Sequence, residues 1–110
     1  MNYEEMSDFE INKAVSGKFR KVWTWGGEVF LSMASTKPFD PCNNPSDAWP
    51  IIVENEITVA KTKSFDEWEA YGGGYEVNYD HEIESCMGSE FMDKNPLRAA
   101  MICFLKMKSI

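Results

Sequence analysis

The sequence predicts a small α+β fold: a single domain over residues 1–110 in which an antiparallel sheet of hairpins packs against N-terminal and C-terminal helices. Three observations predict it. Near the end, Asn95-Pro96 opens a run with Leu97, Ala100, Met101, Phe104 and Leu105 at helical spacing. Near the start, Ser7-Asp8-Phe9-Glu10 is a capping box, a serine cap with a glutamate three residues on. Between them lie short β-prone runs punctuated by Gly26-Gly27 and Gly72-Gly73-Gly74.

In chain order, the first helix runs from the capping box to about Val15 and stops at Ser16-Gly17, with Met6 and Ile11 placed to form a hydrophobic staple. Phe19 to Trp25 and Glu28 to Met33 form a hairpin, because Gly26-Gly27 supplies the positive φ that primed turns need. Thr36 to Pro45 is a loop, since Pro38 and Pro41 give no ladder donors. Asn44 caps and Pro45 starts a short helical turn over 45–49. Pro50, which lacks an N–H and disfavours helical geometry at Trp49, then separates it from a second turn ending near Asn55. A hairpin of Ile51–Val53 turning at Glu54-Asn55 competes for the same residues, and Trp49 reads as a buried anchor. Ile57 to Thr62 alternates apolar and polar as a strand. Phe65 to Tyr71 and Tyr75 to Tyr79 read as strands paired across the glycine triplet, residues 80–94 as a polar loop, and 96 onward as the last helix, with Lys106 and Lys108 where its dipole favours cations.

Composition narrows function by exclusion. A net charge of −7 argues against direct DNA binding, which needs clustered Lys and Arg, and against an anionic membrane surface. No run of about eighteen apolar residues spans a membrane. The acidic start, Met1 to Glu5, is not a secretion signal. Three cysteines, Cys42, Cys86 and Cys103, are odd in number and unrelated in spacing, so they read as reduced thiols. His81 with Cys86 lacks the paired spacing of a metal site. The carboxylates around Cys42, Asp40 and Asp47, would raise its pKa, the wrong direction for a nucleophile. We therefore expect no catalytic residue, no metal and no cofactor.

Aromatic residues make up 14% of the chain, many for one small core. Core packing is the first role for most of these rings; beside Arg20, Lys21 or Arg98, rings such as Trp23, Trp25 and Trp49, with Asn44 and Asn95, could also form a pocket for a nucleobase and its phosphates by stacking and charge. Arg98 lies in the first turn of the last helix, where free N–H groups suit anions; a salt bridge to one of the many carboxylates is its alternative role. Rings left outside the core would also suit a homo-oligomer.

Three blocks, residues 6–12, 42–55 and 94–101, closely resemble the NinX family of small bacteriophage proteins, encoded among the accessory genes of lambda-like phages. They fall at the start, middle and end of the chain; residues 63–93 show no match to the family pattern. The resemblance implies a phage origin and action in the cytoplasm of an infected bacterium, and it transfers no catalytic or cofactor residue. Together these readings lead us to expect a non-enzymatic binding protein that counters host defence by sequestering a nucleotide-like immune signal. The alternatives are a binder or inhibitor of a host protein, and a small nucleotide-directed enzyme.

Overall fold

A computed structural model of the protein describes residues 2–18, 22–32, 36–63, 65–72, 75–77, 83–86 and 90–108. A single turn of 3₁₀ helix, Tyr3–Glu5, precedes α1 (Asp8–Gly17); then come β1 (Trp23–Trp25), β2 (Glu28–Phe30), α2 (Pro45–Glu54), β3 (Thr58–Lys61), β4 (Trp68–Tyr71), β5 (Tyr75–Val77), β6 (Ile83–Cys86), β7 (Glu90–Asp93) and α3 (Pro96–Lys108). The fold is α+β as the sequence predicts.

The local signals form as read. Ser7 Oγ accepts from the Glu10 N–H while the Glu10 carboxylate accepts from the Ser7 N–H, so both halves of the capping box are present. Ile11 belongs to the buried core and Met6 packs against that core. Gly26 and Gly27 have φ of 60° and 77°, and Trp25 pairs with Glu28 across them. Asn95 Oδ1 accepts from the Leu97 and Arg98 N–H groups and opens α3.

α3 organises the rest. Every residue from Ala99 to Leu105 is buried, so this helix has no solvent stripe over its middle turns; such a helix must be covered on all sides. It packs against β3, β4 and β7 and also against α1 and α2. The core around it takes Ile11 and Val15 from α1, Val29 from β2, Ile51 and Ile52 from α2, and Ala70 from β4.

Four expectations are corrected. α2 is one continuous helix with Pro50 inside it, neither two turns nor a hairpin. Pro50 removes one bond, to the Ser46 carbonyl, and both residues are exposed, so water can satisfy that oxygen. Trp49 is not buried; it is 64% exposed, and Ala48 beside it is the buried residue. β4 does not pair across the glycine triplet with β5; its partners are β3 and β7, while β5 pairs with β6. Residues 80–94 are not one irregular loop, because they hold β6 and β7. The three-stranded sheet runs in the order β3-β4-β7, all antiparallel. The strand expected from Phe65 begins only at Trp68, with 65–67 in the turn before it, while the expected strand start at Phe19 lies outside the described residues.

Candidate functional site

The N-terminal ends of α1, α2 and α3 are tied into one polar knot. Each end carries a partial positive charge from its aligned peptide dipoles, and the knot supplies the carboxylates Asp8, Asp40, Asp47 and Asp93. Asn12, on the buried face of α1, donates to Asp40 Oδ1 at 2.7 Å and accepts the Cys42 N–H at 3.2 Å. Asn43 Nδ2 reaches Asp8 and Asp40. Asn95 Nδ2 donates to the Cys42 carbonyl at 2.7 Å. Asn44 Oδ1 accepts the Ser46 N–H as the cap of α2.

Arg98 sits at the centre. Its Nη1 meets Asp8 Oδ1 at 2.7 Å, its Nε meets Asp93 Oδ1 at 3.3 Å, and its Nη2 donates to the carbonyls of Met6 (2.7 Å) and Tyr3 (3.1 Å). The guanidinium thus carries the ion pairs that were its alternative role. A cation in the first turn of a helix opposes the dipole, which is why two carboxylates accompany it. No buried side-chain nitrogen or oxygen among the described residues lacks a partner.

Replacing Asn12 by leucine keeps the number and branching of its side-chain heavy atoms and removes both hydrogen bonds. The buried Cys42 N–H then has no acceptor, which costs about 2 kcal/mol of stability. A shift of the urea midpoint without change in its slope would report it.

Cys42 is buried within the knot. Burial, then the Asp8 carboxylate, then Asp40 and Asp93 push its thiol up to about 12, against the pull of Arg98. Burial likewise pushes Cys103 up to about 11, against Lys106. Both thiols are neutral at pH 7 in the folded and unfolded chain. Above about pH 8.5 the unfolded thiols ionise while the folded ones do not. The stability they contribute is therefore complete below that pH and falls as pH rises through the window up to about 12. Urea midpoints measured from neutral to alkaline pH should decline, and decline less in Cys42→Ala. Neither thiol is poised as a nucleophile.

Two clefts flank α2. Ser46, Asp47, Pro50, Ile51 and Glu54 face one of them, about 560 Å³, whose far wall includes Lys18, Phe39, Phe104 and Lys108. Its rim mixes two ammonium groups with two carboxylates. The other, about 610 Å³, lies between Trp49, Ile52 and Val53 of α2, the start of β3, and Pro96 and Leu97 of α3. Trp49 and Val53 stand one turn apart on α2, 64% and 56% exposed. Glu56 is the one ionisable residue lining this groove, and it holds a left-handed backbone with φ of 53°.

The structure therefore separates the residues the sequence grouped. Asn95 and Arg98 bond within the knot, and Asn44 caps α2 through its Oδ1. Trp49 lines the apolar groove, next to Pro96 and Leu97. Trp23 and Trp25 lie on β1, 37% and 80% exposed, and line neither cleft. Arg20 and His81 lie outside the described residues. Among the described residues no group of His, Cys, Asp and Glu could hold a metal ion, and no helix is long and apolar enough to cross a membrane. Val53, Glu56, Thr58 and Leu97 were missed as groove residues; Val53 was findable, four residues from Trp49 and so on the same helical face.

The sequence model of the family described as "Bacteriophage P22, NinX" matches residues 2–108, and so runs through residues 63–93 as well, where the sequence reading finds no match. No curated protein and no solved structure matches the chain.

Proposed function

Because the chain belongs to the bacteriophage P22 NinX family, we propose that it is a phage accessory protein that works in the cytoplasm of the infected bacterium as a non-enzymatic binding protein, and that its partner is a host protein. The observation that carries this reading is the groove of Trp49, Val53 and Leu97, an apolar surface left open on an otherwise acidic chain. Exposed tryptophan beside aliphatic side chains is the composition of an interface centre. The anti-defence role rests on the family's phage setting alone, and the partner would be a component of host machinery or immunity.

The nucleotide-sequestering reading draws less support from the same geometry. A nucleotide needs free donors and cations for its phosphates. Arg98 and the Asn95 amide already donate to the fold, and the cleft that has lysines also has Asp47 and Glu54. Two measurements separate the readings. Isothermal calorimetry against cyclic and ADP-ribose-type nucleotides should show no heat with folded protein. Affinity capture from infected cells should recover one host protein in stoichiometric amount, which purified components then reproduce. Heat from a nucleotide at micromolar concentration, with no protein partner recovered, would reverse the assignment.

A further inference from the structure

The groove borders an open sheet edge. β3 pairs with β4 alone among the described residues, so its other side is a free edge. The Thr62 N–H donates to the Glu67 carbonyl at 3.1 Å. Thr58 stands opposite Tyr71 and Ala60 opposite Glu69 in the same register. Hydrogen-bonded pairs alternate in an antiparallel ladder, so Thr58, Ala60 and Thr62 face β4. The N–H and C=O of Val59 and Lys61 therefore point outward, and no described residue takes them.

Natural sheets usually block such an edge with lysine, proline or a covering loop. β3 contains no proline. Its lysine is turned aside: Lys61 Nζ donates to the carbonyls of Thr62 and Phe65, both at 3.0 Å. Thr58 and Val59, at the start of this edge, also line the Trp49 groove. At the α2–β3 junction the one ionisable liner, Glu56, is exposed and held in the left-handed region that disfavours non-glycine residues.

We propose that β3 accepts an extended, basic segment of the partner protein as an added strand, with an apolar side chain of that segment in the groove beside Trp49 and a lysine or arginine against Glu56. This rests on the protein-binding reading above and gives it a mode. Main-chain bonds to Val59 and Lys61 supply affinity, while the groove selects alternate side chains. Charge selects the occupant. A second copy would bring another chain of net charge −7 against this one, whereas a basic segment is attracted and steered.

A random peptide library screened against the full chain tests this. Selected peptides should alternate apolar residues with others, carry excess Lys and Arg, and bind more weakly as salt rises. Binding should slow hydrogen exchange at the Val59 and Lys61 amides. Glu56→Lys should weaken binding about tenfold. So should Val59→Pro, which removes an outward N–H and leaves the β4 ladder intact. Peptides with helical spacing or acidic bias, an empty selection, unchanged exchange at Val59 and Lys61, or protection of those amides by self-association at high concentration would each overturn the proposal. A host protein captured through the groove without protection of those amides would leave the protein-binding reading standing and remove only the added strand.

Discussion

Arg98→Ala should lower the stability of the folded chain by about 3 kcal/mol, at the lower end of the range for removing one partner of a buried ion pair. Its side chain is 13% exposed, while Asp8 is 42% and Asp93 23% exposed, so water softens the loss at Asp8 more than at Asp93. The Met6 and Tyr3 carbonyls also lose their donor. The substitution acts on three segments at once: the N-terminal turn, the start of α1 and the start of α3. Urea unfolding would measure the loss. Arg98→Lys should recover only part of it, because one ammonium cannot reach Asp8, Asp93 and two carbonyls together. A double-mutant cycle with Asp8→Ala should show coupling, since the pair is 2.7 Å apart. Arg98→Ala with unchanged stability, but lost binding of an anionic ligand, would return Arg98 to the ligand-binding role its position at a helix N-terminus suggests.

The knot also brings together the three stretches on which the sequence reading rests the family resemblance. Residues 6–12, 42–55 and 94–101 are distant in sequence and meet in space: Asn12 bonds Cys42, Asn95 bonds Cys42, and Arg98 bonds Met6 and Asp8. Three positive helix ends brought together repel unless anions separate them. Asp8, Asp40, Asp47 and Asp93 do that, and amide side chains, which can donate and accept, bridge the remaining groups. Asn95 and Arg98, which the sequence offers as ligand-binding candidates, also fasten the fold.

Features set within a few residues were legible. The Ser7–Glu10 box, the Gly26-Gly27 turn and the Asn95-Pro96 start each follow from contacts at most a turn away. Pairing over longer distance was not. Gly72 to Gly74 looks like a hairpin turn because glycine runs often are, yet β4 finds β7, and Ala70 stands opposite Phe91. β6 and β7 hid in a polar stretch because strands of four residues are too short to show a clear apolar alternation. Pro50 reads through the average effect of proline in helix interiors, but at this exposed position the carbonyl it leaves without a partner is open to water. Trp49 was assigned to the core by residue type; on α2 the buried places at that level go to Ala48, Ile51 and Ile52. The knot, built from Asn12, Asp40, Asn43 and Asn95 across as many as 83 positions, has no local signature.

Trp49→Ala should separate folding from function. At 64% exposure, the indole contributes little to the folded state, and its removal should change stability by no more than about 0.5 kcal/mol. Its neighbour gives the contrast: Ala48 is fully buried, and Ala48→Leu should overpack the core by about 2 kcal/mol. If the groove is the interface centre, Trp49→Ala should weaken the host-protein complex by about 2 kcal/mol, roughly thirtyfold, as hot-spot tryptophans do. Most of that should appear as faster dissociation, since truncating an apolar anchor leaves the electrostatic approach of the partners intact. Val53→Ala, on the same face one turn on, should act in the same direction and more weakly. Trp25→Ala supplies the control, because Trp25 is more exposed still, at 80%, yet lines neither cleft. Surface plasmon resonance with the recovered partner would decide among them. Equal losses at Trp25 and Trp49 would mean that exposed rings bind without regard to the groove, and a loss at Trp25 alone would move the interface to the β1–β2 hairpin.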